Sequence, residues 1–362
     1  MLLQGTFRIL LLYDVADSIN LDQLKTILQI QAPERLPSFT HPTPEYVRFE
    51  LPPVIEPLGP VELETGDRPE ARIKYYDYGV TSLEMELPFS CEWEALVKLS
   101  AEWIAASNIE QQALEVMRRS LQRAGPALAK PYGSLSTEDY YIIEVREAKE
   151  ADGRPATAGE LLTRHGQEIA QIIRGESRLL SDGERQQILR SSLSYYPSDL
   201  LVVGWTAAVV YDTAEGAAPT IQLLEYANSQ LLEFRHYDNV LTRVLEKVYR
   251  ALERHSGFVA RWRLAREAER LDVIRLDVME LAERTDNAIK FLSDMFYARL
   301  YRMAAAKVGV PDYRRLVDEK LRTAGELYQF MVDQFEHARS FVLELSIVII
   351  LIIDLIFLFK GK

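Results

Sequence analysis

The sequence predicts an α+β N-terminal domain on a mixed or antiparallel sheet, then a long helical hairpin or coiled-coil stalk, then one C-terminal transmembrane helix. Three observations predict it. Strand and helix signals alternate, with hairpin signals among them, through roughly the first 210 residues. Beyond Pro219 the strand signals stop and apolar residues recur at spacings of three and four. From Phe341 to Phe359 the chain is apolar for 19 residues apart from Glu344 and Asp354.

In the head, expected over 1–215, Phe7 to Tyr13 reads as the first strand, and Leu21 to Gln31 as a helix capped by Asn20. A proline-rich stretch from Pro33 to Pro69 holds one strand signal, Tyr46 to Leu51. Arg72 to Tyr76 and Val80 to Leu87 form a hairpin around Asp77-Tyr78-Gly79, where glycine suits a tight turn. Cys91 to Arg123 reads as one amphipathic helix ending near Gly125-Pro126. Tyr140 to Val145 is a strand, Ala158 to Arg174 a helix, and Leu200 to Tyr211 a buried strand or strand pair bent at Gly204. This mixture suggests a ferredoxin-like topology over a doubly wound sheet.

The stalk is expected over 216–340 as three helices with breaks near 256 and 310. Its runs are Leu224, Ala227, Leu231, Phe234, Leu241 and Leu245, then Leu271, Ile274, Val278 and Leu281, then Val317, Leu321, Ala324, Tyr328 and Met331. Sustained runs of this kind need a second helix to bury them, from another copy or from the same chain. The third helix leads into the 341–359 segment, whose length of about 28 Å suits a bilayer core. Residues 360–362 form a short polar tail, and the large body is expected on the cytoplasmic side.

Composition narrows the function. With 54 acidic residues against 42 Lys and Arg, the formal charge is -12, which disfavours nucleic-acid binding by the surface as a whole. Cys91 is the one cysteine, so neither an intrachain disulfide nor a thiolate metal site is available, and it reads as structural. The chain has no phosphate-binding glycine loop, no dinucleotide fingerprint, no HExxH and no GxSxG. His41, His165, His236, His255 and His337 lack ligand spacing. No catalytic residue, cofactor or metal is therefore assigned.

Three features stand out. Glu225, Asn228, Arg235 and Asp238 fall near one helical stripe, suited to a buried network, a ligand site, or ion pairs that fix helix register. Arg243, Lys247, Arg250, Arg254, Arg261, Arg263 and Arg266 surround Trp262 and face only Glu246 and Glu253. This basic stretch suits anionic lipid or RNA, or is a solvated face. Asp354 is an acid inside the expected span, suited to helix association or tolerated near the interface.

Asp318-Glu319-Lys320-Leu321, Glu326-Leu327, Met331, Phe335 to Arg339 and the Leu343-Glu344-Leu345 entry to an isoleucine-rich segment with Asp354 resemble the "required for meiotic nuclear division" family (Rmd/RMND, YagE-like). Tyr76 to Val80 and Leu224 to Asp238 are similar to it more thinly, and Asp318 and His337-Ala338 depart from its pattern. The resemblance implies membrane proteins that form homo-oligomers and serve as scaffolds, with eukaryotic members on mitochondrial membranes supporting translation.

The expectation is thus a single-pass, non-enzymatic scaffold or tether that self-associates and presents its head to a protein partner. One alternative is an RNA- or ribosome-binding tether using Arg243 to Arg266. The other is an enzyme in the head using acids such as Asp77 and Glu225 with a borrowed metal.

Overall fold

The first strand decides the architecture. β1 (Leu2–Ile19) is 18 residues long and pairs antiparallel along its length with β4 (Val80–Glu92) on one side and β5 (Leu128–Lys149) on the other. A strand this long and apolar, buried at nearly every position from Thr6 to Ala16, occupies the centre of a sheet. The computed structural model describes residues 1–30, 52–63, 66–105, 108–149, 153–253, 273–281, 283, 295–327, 329 and 347–352. Within them β2 (Val54–Pro60), β3 (Glu70–Tyr75), β6 (Ser192–Leu193), β7 (Leu200–Val203) and β8 (Ala207–Tyr211) complete an eight-stranded sheet of order β2-β3-β4-β1-β5-β8-β7-β6. All neighbours are antiparallel except β5 and β8, which makes the sheet mixed.

Alternation along β1 sorts the two faces. Leu3, Phe7, Ile9, Leu11 and Tyr13 join one apolar core with Leu96, Met117 and Ile172. Those three come from α2 (Trp93–Ile104), α3 (Asn108–Ala124) and α5 (Gly166–Arg174), which lie beside α1 (Leu21–Leu28), α4 (Ala158–Arg164) and α6 (Asp182–Leu189) in the same domain. Asn20 caps α1 as expected, accepting from the Gln23 amide at 3.0 Å. Thr157 and Glu160 form a reciprocal capping box on α4.

Several expectations change in detail. The helix expected from Cys91 to Arg123 is two helices, and Cys91 belongs to β4, because β1 continues to pair through Leu3↔Cys91 and Leu2↔Glu92. Ala158 to Arg174 breaks at His165, whose backbone leaves the helical region. The Leu200–Tyr211 run is a strand pair turning at Gly204, which donates to Ala207 O at 2.8 Å. The sheet has eight strands where a ferredoxin-like domain has four. The Tyr46 to Leu51 strand lies outside the described residues.

The C-terminal region is helical among the described residues: α7 (Ala214–Glu253), α8 (273–281), α9 (Met295–Val308) and α10 (310–327), with Gly309 at φ +97° between the last two. α7 begins before Pro219, and Thr213 caps it by accepting from the Gly216 amide at 3.2 Å. Pro219 is the sixth residue of α7, past the first turn, and lacks the amide that would bond the Glu215 carbonyl. The chain forms two compact units, Met1–His236 with Leu281–Tyr313, and Tyr237–Glu280 with Arg314–Lys362. The expected stalk is thus shared between them, its residues 216–236 and 281–313 lying in the first.

Among the described residues no helix is long and apolar enough to cross a membrane. Of the expected 341–359 span only residues 347–352 are described, as helix, and Asp354 and the stalk break near 256 lie outside the described residues.

Gly79 sits at φ +90° in the β3–β4 turn, and a Cβ there would overlap the Ala16 carbonyl oxygen. Gly59 has φ +72° in open space. Gly79→Ala is expected to cost roughly 3 kcal/mol and Gly59→Ala about 1 kcal/mol in urea unfolding. Equal losses would show that the close approach to Ala16 has no energetic weight.

Candidate functional site

The second face of the sheet carries charge where an ordinary core would be apolar. The register sets Arg8 opposite Glu86, Leu10 opposite Glu84, Arg72 opposite Glu84 and Lys74 opposite Ser82, so these side chains share one face across β1, β4 and β3. From β5, Glu144 lies opposite Thr6 and reaches the same cluster.

The pairs are direct. Arg8 donates to Glu84 at 2.7 Å, to Glu144 at 2.7 and 2.9 Å, and to Glu86. Arg72 meets Glu84 at 2.8 Å and Glu86 at 2.9 Å. Lys74 bridges Glu84 at 2.9 Å and Glu225 of α7 at 2.5 Å. Arg146 binds the other oxygen of Glu144 at 2.8 Å. Four cations thus meet four carboxylates, and Glu84, Glu144 and Glu225 are buried.

Burial and pairing pull the proton affinities in opposite directions. Burial works to raise Glu84, but Lys74, Arg72 and Arg8 outweigh it and hold the carboxyl well below the usual carboxylate range. Glu144 is likewise lowered, burial being outweighed by Arg146 and Arg8. Burial works to lower Lys74, yet Glu225 and Glu84 raise it above an ordinary lysine. Tyr76 is pushed well above a free phenol by burial and by Glu225 beside it. Glu84, Glu144 and Lys74 are thus each held toward the charged form.

α7 closes over this face. Its residues from Ile221 to Phe234 are buried except Gln222, with Leu224, Ala227, Leu231 and Phe234 almost fully so. Four polar ties run along it. Glu225 meets Lys74, the Ser229 hydroxyl lies 3.0 Å from the Tyr78 hydroxyl, Arg235 pairs with Glu138, and His236 Nδ1 lies 2.6 Å from Asp14. His236 also stacks on Tyr132, with centroids 4.4 Å apart. Burial raises the Asp14 carboxyl above its ordinary value, against the opposing pull of His236. From α9, Tyr301 donates to the Gln230 side chain.

The predicted stripe therefore divides. Glu225 joins the cluster, and Asn228 lies buried on the same helix, donating to the Leu224 carbonyl at 2.8 Å. Arg235 reaches β5 through Glu138, while Asp238 belongs to the second unit and pairs with Lys320 at 2.6 Å. Of the basic stretch, Arg243, Lys247 and Arg250 are exposed on α7, and Arg254, Arg261, Trp262, Arg263 and Arg266 lie outside the described residues. Cys91 is half-buried, and burial raises its thiol. Among the described residues no group of His, Cys, Asp or Glu is arranged to hold a metal ion. Asp77 sits in the β3–β4 turn, its carbonyl accepting from the Ile19 amide at 2.8 Å.

Sequence reasoning missed Arg8, Lys74, Glu84 and Glu144. The available signal was charge at the inward period of otherwise apolar strands, as in Arg8 between Phe7 and Ile9.

The first unit is a mixed eight-stranded α+β domain with a long helix clasped over a buried ionic face. The family described as "Uncharacterized protein MJ0711, N-terminal domain" matches residues 4–218, and the chain belongs to that family. It is also 19% identical over 188 residues to "Uncharacterized protein MJ0711" of Methanocaldococcus jannaschii, covering 52% of this chain and 58% of that protein. The chain thus matches a little over half the length of that relative. No solved structure matches.

This corrects the Rmd/RMND resemblance. The family match lies over the head, whereas the resemblance rested on the C-terminal helices. Around 317–324 its residues do generic helical work, with Val317 and Ala324 buried and Lys320 bound to Asp238 and Thr242. Such spacing recurs in unrelated amphipathic helices. Phe335 to Arg339 and Leu343 to Leu345 lie outside the described residues.

Two expectations test the clasp. Glu225→Leu alone leaves the buried Lys74 with Glu84 as its one carboxylate partner among the described residues and is expected to cost about 3 kcal/mol, while the Lys74→Met/Glu225→Leu pair costs less than the sum of the single changes. Strict additivity in a double-mutant cycle would show that the pair is not coupled. The second concerns acid. Glu84 and Glu144, lowered in the fold, contribute stability above the ordinary value of 4.5, and it is lost as pH falls through their folded values. Asp14, raised in the fold, acts with the opposite sign. Thermal melts from pH 7 to pH 3 should therefore show a shallower acid loss in Glu84→Gln than in the unsubstituted protein.

Proposed function

We propose that the chain is a membrane-attached, non-enzymatic scaffold whose α+β head is presented by a self-associating helical region. One observation carries this reading. Residues 347–352 form a helical stretch, Ile347-Val348-Ile349-Ile350-Leu351-Ile352, in which every side chain is 48–61% exposed. Aliphatic surface exposed on all sides of a helix calls for a nonaqueous environment or a partner. It lies within the longer apolar run from Phe341 to Phe359, which suits insertion into lipid.

Two further features fit. Arg243, Lys247 and Arg250 stand exposed at spacings of four and three on α7, one stripe suited to anionic headgroups. On α8, Ile274 and Val278 are buried while Val273, Leu276 and Met279 form an exposed stripe at spacings of three. Leu241, Leu245, Ile274, Val278, Val317 and Ala324 are buried in the single chain, so self-association rests on the α8 stripe and not on those positions. The same basic stripe also supports the second reading, an RNA-binding tether.

Liposome flotation tests the membrane part. The full chain is expected to float with vesicles, and a chain ending at residue 340 to float at least about tenfold less. Equal behaviour of the two would sink the anchor. Charge reversal at Arg243, Lys247 and Arg250 should weaken residual binding to anionic vesicles, whereas salt-steep loss of RNA binding in that variant would favour the second reading. In sedimentation, Val273→Ser/Leu276→Ser/Met279→Ser should shift the chain toward monomer. A strict monomer before substitution removes self-association.

A further inference from the structure

We draw no further inference here: the strongest candidate, the cavity of about 440 Å³ along the β2 edge of the sheet with Lys25, Val54, Glu70 and Arg72 in its lining, is flanked by Ile30 and Pro52, between which residues 31–51 lie outside the described residues, and nothing in the structure shows what covers it.

Discussion

Buried charge must be matched, and in this protein that requirement fixes how α7 lies on the sheet. Lys74 stands between Glu84 of its own sheet and Glu225 of the helix. Removing an ionised group from water costs several kcal/mol unless its partners are in place. Arg8 is caught in the same way, between Glu84, Glu86 and Glu144. The correct register of β1, β3, β4 and β5 and the correct placement of α7 therefore satisfy one condition together.

This arrangement contrasts with the other face of the sheet, where Phe7, Ile9, Leu11 and Tyr13 join an apolar core with the helices and Glu56, bound to Tyr75 and Arg123, supplies a polar tie at its edge. Apolar packing is permissive, because many side chains of suitable volume fill a core. Ionic pairing tolerates far less displacement, since a shift of one helical turn leaves Lys74 and Glu225 without each other. The ties from Ser229 to Tyr78, Arg235 to Glu138 and His236 to Asp14 repeat the constraint along the helix. The face reads as a specificity device.

The family match covers residues 4–218, which contain all of the sheet but the first two residues of β1, and the start of α7. Glu225, Ser229, Arg235 and His236 lie beyond that match yet complete the sheet's polar face. The helical continuation is thus part of how the first unit closes, and the unit extends to His236 accordingly.

Much of the local structure was determined by the sequence itself. Asn20 before an amphipathic run, the Asp77-Tyr78-Gly79 turn and Gly204 between two apolar strands each specify geometry through the bonding or backbone freedom of one or two residues. The predicted stripe contained Glu225 because helical periodicity is visible locally, though its partner Lys74 lies 151 residues away and was not. Pairing across that separation depends on strand order, and nothing in a strand's own residues declares its neighbours. Strand order also shortened the helix expected from Cys91 to Arg123 at its start, since β1 drew Cys91 and Glu92 into its ladder. Local interactions were legible in the sequence for that reason, and the tertiary structure alone decided which charges would share a buried face.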